Sequence, residues 1–88
     1  MNSSKAKVLF VDDELPILKG IKLNLGRKYD VFTAESGSEG LKILEEEGEF
    51  QVIVSDFSMP RMNGAQFLEK VREQNKDVVT MLLTGQAN

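Results

Sequence analysis

Lys7-Val8-Leu9-Phe10-Val11-Asp12-Asp13-Glu14 is the stretch on which the fold turns. Four apolar residues run without interruption and then stop at three consecutive carboxylates. The run is too short for a buried helix and lacks the alternation of a half-exposed strand. It reads as a short strand covered on both faces, the pattern of a parallel sheet.

Outward from this strand, the period of the apolar residues switches back and forth. Leu15, Leu18, Ile21 and Leu25 recur at helical spacing, with Ile17 widening the stripe. Pro16 suits the first turn of this helix and Gly26 its end. Residues 29–34 predict a second strand. Ser36 and Glu39 then have capping-box spacing, and a helix carrying Leu41, Ile43 and Leu44 follows, with Gly48 as its stop. Glu45-Glu46-Glu47 fall at its C-terminal end, where the helix dipole disfavours negative charge, so this helix is expected to be the weakest. Val52-Ile53-Val54 is an unbroken β-branched strand ending at Ser55-Asp56. A loop with Pro60 and Gly64 follows, Asn63 can cap a third helix, and Phe67, Leu68 and Val71 form its apolar stripe. Residues 78–84 predict a fourth strand that stops at Gly85. The order β-α-β-α-β-α-β predicts an α/β fold, a parallel sheet with right-handed crossovers and helices on both faces.

Composition removes several functions. Eleven Lys and Arg against fourteen Asp and Glu give a net charge of −3, the wrong balance for neutralising nucleic-acid phosphates. With no Cys, disulfides, thiolate metal sites and thiol catalysis are excluded. With no His, imidazole acid–base chemistry and phosphohistidine transfer from this chain are excluded too. No apolar run is long enough for a signal peptide or a membrane span, so a cytoplasmic location is expected.

In an open parallel sheet, ligands bind beyond the carboxyl ends of the strands, near the point where strand order reverses. Asp12, Asp13 and Glu14 end the first strand, Asp56 the third and Thr84 the fourth. If the first and third strands are neighbours, as in the flavodoxin-like order 2-1-3-4, two or three carboxylates converge. Such a cluster repels itself unless a cation neutralises it, and oxygen donors without imidazole or thiolate suit a hard ion, most often Mg²⁺. Taken singly, Asp12 or Asp13 reads more simply as a cap of the first helix.

Three segments together resemble the receiver domain of two-component response regulators. They are residues 8–14 (Val-Leu-Phe-Val-Asp-Asp-Glu), residues 52–64 (Val-Ile-Val-Ser-Asp-Phe-Ser-Met-Pro-Arg-Met-Asn-Gly) and residues 82–85 (Leu-Leu-Thr-Gly). The resemblance runs from about Lys7 to Gly85 and makes residues 1–88 a single receiver domain. It implies that Asp56 is the phosphoacceptor, attacking the phosphoryl group of a histidine kinase or phosphotransfer protein. It implies Mg²⁺ held directly by Asp13, with Asp12 acting beside it partly through water, and by Asp56 and the backbone carbonyl of Ser58. Thr84 corresponds to the switch hydroxyl, while Ser58 and Gln86 occupy positions that tune hydrolysis of the acyl phosphate. Chemistry of this kind is nucleophilic catalysis by a carboxylate with a metal offsetting charge. No enzyme activity is implied beyond self-phosphorylation and autodephosphorylation.

Receiver domains generally continue with a fourth helix, a fifth strand and a fifth helix, and the fifth strand supplies a Lys to the phosphoryl group. The sequence ends at Asn88, so the expectation is a domain truncated after its fourth strand. Lys70 and Lys76 belong to the third helix or its end. The fourth strand then becomes an apolar edge, and part of the first helix loses its cover. A homodimer is expected, by pairing of the fourth-strand edges or by exchange of elements. The alternative function is a switch-deficient receiver fragment acting as a dimerisation and interaction scaffold. A Mg²⁺-dependent phosphohydrolase is disfavoured because Asp56 is followed by Phe57 and Ser58, with no second acid two positions on.

Overall fold

Each apolar run in the sequence becomes one strand, and each amphipathic run becomes the helix that carries the chain back across the sheet. In the computed structural model, which describes residues 5–84, β1 (Lys7–Val11), β2 (Asp30–Ala34), β3 (Val52–Asp56) and β4 (Val79–Leu83) form one sheet in the order β2-β1-β3-β4. All three pairings are parallel. The connecting helices are α1 (Leu15–Leu25), α2 (Gly37–Glu47) and α3 (Gly64–Gln74). The flavodoxin-like order is as expected, with β2 and β4 each one or two residues shorter than the apolar pattern suggests. Gly85 and Gln86 lie outside the described residues.

Register sorts the two layers. Leu9 stands opposite Phe32 and Ile53, and these share one face with Val11, Ala34, Phe67, Leu68 and Val71 beneath α2 and α3. Alternation puts Val8, Val31 and Val54 on the other face, toward α1, where Leu18 is the one fully buried helix residue. Of the expected α1 stripe, Ile21 and Leu25 are half-buried, while Leu15 and Ile17 are exposed. Uncovered α1 surface agrees with the expectation for this face. Along β4, Val79, Met81 and Leu83 are 57%, 50% and 49% exposed, so the same face of the sheet is open there as well.

Local chemistry sets the helix ends. Ser36 Oγ accepts the Glu39 N–H at 3.1 Å, but the Glu39 carboxylate reaches back to the N–H of Glu35, one residue before the position a regular capping box would use. Asn63 and Gln66 form the reciprocal box at α3, with bonds of 2.8 and 3.0 Å. The glutamate-rich end of α2 is offset from a distance. Lys7 Nζ donates to the carbonyl of Glu47 and lies 5.2 and 4.8 Å from the ring centres of Phe32 and Phe50. A cation from β1 thus caps the helix end that lacks any basic residue of its own.

Candidate functional site

Parallel pairing of β1 with β3 carries the acids to one edge. Val11 pairs with Ser55, so the residues that follow, Asp12 and Asp56, leave the sheet side by side. One carboxylate oxygen from each of Asp12, Asp13 and Asp56 lies within 4.8 Å of the other two. Asp13 is exposed, and Asp12 and Asp56 are half-buried. The side chain of Asp12 also accepts the Glu14 N–H at 2.9 Å, so it turns the chain into α1 while facing the cluster. It does not cap α1 directly, because Glu14 holds the N-cap position and makes no side-chain cap bond.

This crowding has an electrostatic signature at Asp56. Its pKa is raised from the usual 3.8, first by loss of solvent and then by the negative charges of Asp12, Asp13 and Glu14; the N–H of Phe57 pulls the other way. Among the described residues, no cation contributes to this balance. Three converging carboxylates form a hard oxygen donor set, and the repulsion among them is what a divalent cation would relieve. The residues present therefore fit Mg²⁺.

The other residues singled out from the sequence lie around this cluster. Asp56 pairs with Leu83, so Thr84 leaves β4 next to it, with its side chain exposed. Ser58 lies exposed on the β3–α3 loop, two residues beyond Asp56. That loop is wound on one atom, since the Phe57 carbonyl accepts the N–H groups of both Met59 (3.1 Å) and Gly64 (2.9 Å). Arg61, at φ 69°, is the one described non-glycine residue with a left-handed backbone, inside a tight turn closed from Met62 N to the Pro60 carbonyl at 2.7 Å.

Gly64, which the sequence assigns to the loop, is the first residue of α3, and it and Ser55 have roles that the sequence does not assign. A Cβ at Gly64 would fall 2.2 Å from the carbonyl oxygen of Asp56, so only glycine lets α3 begin this close to β3. Ser55, fully buried, donates its hydroxyl to the same carbonyl at 2.9 Å. Its one signal in the sequence is a polar residue at the end of a run that is otherwise β-branched.

Comparison with known proteins identifies the family. Residues 8–88 match the family model described as response regulator receiver domain. The chain is 38% identical over 87 residues to the sensor kinase CckA of Brucella abortus, covering 97% of this chain and 9% of that protein. It is 35% identical over 91 residues to a probable chemotaxis protein CheY of Rhizobium etli, covering 98% of this chain and 69% of that one. The crystal structure of the response regulator TrrA from Thermotoga maritima, in complex with Mg²⁺ and BeF, superposes with a TM-score of 0.84 at 32% identity, over 93% of this chain and 71% of that one. The chain thus spans only a small part of CckA and about two-thirds of the shorter CheY and TrrA chains. With a family match over residues 8–88, the chain belongs to the response regulator receiver domain family.

Proposed function

We propose that this domain is a phosphoacceptor in a two-component signal transduction system, phosphorylated on Asp56 by a histidine kinase or phosphotransfer protein. The observation that carries this is the convergence of the Asp12, Asp13 and Asp56 carboxylates within 4.8 Å at the carboxyl edge of the sheet. Asp13 directly, Asp12 partly through water, Asp56 and the Ser58 carbonyl are the proposed Mg²⁺ ligands. When bound, Mg²⁺ would offset charge on the transferring phosphoryl group. A carboxylate oxygen of Asp56 bonds to phosphorus as the donor's N–P bond breaks, and the donor imidazole departs with its electron pair. The Thr84 hydroxyl, one residue past the partner of Asp56 in β4, is the proposed switch group that turns toward the new phosphoryl oxygens. The added charge of about −1.5 to −2 is what the switch reads. Beyond self-phosphorylation and autodephosphorylation, no enzymatic activity is proposed. The proposed location is the cytoplasm; among the described residues, no helix is long and apolar enough to cross a membrane.

The test is incubation of the chain with Mg²⁺ and a small phosphodonor such as acetyl phosphate, followed by intact mass. One phosphoryl group should be added and should disappear in Asp56→Asn. A folded chain with Mg²⁺ bound that is never modified, at any donor concentration, favours the scaffold reading instead.

A second reading is supported by β4. Its outer backbone edge has no strand beside it among the described residues, and Val79, Met81, Leu82 and Leu83 are all exposed. An apolar open edge is a template for a strand of like character, and a second copy of this chain supplies one. We therefore also propose a homodimer through β4, by edge pairing or by exchange of elements. Sedimentation should show a concentration-dependent dimer that Met81→Lys abolishes. A monomer at every concentration rules it out.

A further inference from the structure

Ser55 is the one buried polar side chain among the described residues, fully enclosed at the end of a strand whose other core residues are aliphatic. It sits in the sheet between Val11 of β1 and Leu82 of β4. A hydroxyl there gains little over an apolar side chain of the same shape, because it gives up water for a single bond. That bond is the informative part. Ser55 Oγ donates at 2.9 Å to the carbonyl of Asp56, the same oxygen that Gly64 approaches too closely to carry a Cβ. The other end of this peptide unit is fixed as well, since the Phe57 N–H donates to the Leu83 carbonyl at 2.9 Å. The peptide following Asp56 is therefore held at its C=O by a side chain and at its N–H by the neighbouring strand.

We propose that Ser55 is a positioning residue for Asp56, its buried hydroxyl fixing the Asp56–Phe57 peptide and with it the direction in which the Asp56 carboxylate leaves the strand. The inference rests on Asp56 being the phosphoacceptor. It gives a physical reason for a polar residue at a fully buried position of the sheet, and its consequence falls on the site rather than on folding. A carboxylate that must face both a cation and an incoming phosphoryl group tolerates little rotation. Releasing the peptide carbonyl should therefore weaken reactions at Asp56 while leaving the fold in place.

Ser55→Thr and Ser55→Val form the discriminating pair, nearly equal in shape and different in the hydroxyl, and Ser55→Ala is the third variant in case the valine side chain packs poorly. The readout is the beryllofluoride adduct of the 88-residue chain in saturating Mg²⁺, titrated by backbone amide shifts, alongside the melting temperature of each variant. The Thr variant should bind within about twofold of the parent, and the Val and Ala variants about tenfold more weakly, the factor expected for one hydrogen bond. A residue important only to folding would lower the melting temperature and leave the affinity of the folded fraction unchanged. Equal affinity in the Thr, Val and Ala variants overturns the positioning role. An adduct that persists in Asp56→Asn, or no adduct in the parent chain, overturns the phosphoacceptor reading, and the positioning role falls with it.

Discussion

The two ends of the sheet treat charge in opposite ways. At the amino end, the cation of Lys7 lies against the rings of Phe32 and Phe50 and caps α2 at Glu47. The hydrogen bond and the two ring contacts of that charge are all made within the protein. At the carboxyl end, Asp12, Asp13 and Asp56 face one another, and the pKa of Asp56 is raised by burial and by its acidic neighbours. The first arrangement is complete and therefore structural. The second is unbalanced, and that imbalance supports the proposed cation site.

Removing the charged group at each end should therefore move stability in opposite directions, whereas crowding the backbone at the carboxyl end destabilises. The largest effect is expected from Gly64→Ala, which drives a Cβ onto the Asp56 carbonyl and into Leu82. It should cost about 3 kcal/mol or more by overpacking, read from denaturant unfolding. Lys7→Met keeps the apolar stem and removes the charge. A loss of about 1–2 kcal/mol is expected from the cap and the ring contacts together. The melting temperature should fall by about 4–8 °C for each kcal/mol in a domain this small. Asp56→Asn should do the reverse and raise the melting temperature near pH 7, by less than Lys7→Met lowers it. The sign follows from the raised pKa. The folded state holds its Asp56 proton more tightly than the unfolded state, so the stability linked to this group is fully present below 3.8 and is lost as pH rises through the folded value. The gain from Asp56→Asn should accordingly shrink as pH falls toward 3.8 and vanish below it.

The same comparison shows what a sequence can and cannot reveal. The alternation of strands and helices is legible because each element writes its own period, and the convergence of Asp12 with Asp56 follows from β1 and β3 being neighbours. The elements whose interactions are local were read most fully, as at the Asn63 cap. Lys7 was not, because its partners Phe32, Glu47 and Phe50 come from three separate segments and nothing in the residues around it signals them. The weakness expected for α2 from Glu45-Glu46-Glu47 misses the cap for the same reason: a long-range cation offsets what the local sequence lacks. The α1 stripe shows the converse. Helical spacing gave Leu15 and Ile17 the same standing as Leu18, yet only Leu18 is fully buried against the sheet. Periodicity identifies an apolar face and says nothing of how much of it finds a partner.

The proposed cation site at the carboxyl edge is built from Asp12, Asp13 and Asp56. Titration of the chain with Mg²⁺, followed residue by residue through backbone amide shifts, tests it most directly. Saturable changes are expected at residues 12–14, 56–58 and 84, abolished in Asp13→Asn, with the amino end around Lys7 unmoved. Changes spread evenly over the acidic surface, or saturable binding that survives Asp13→Asn, would contradict it.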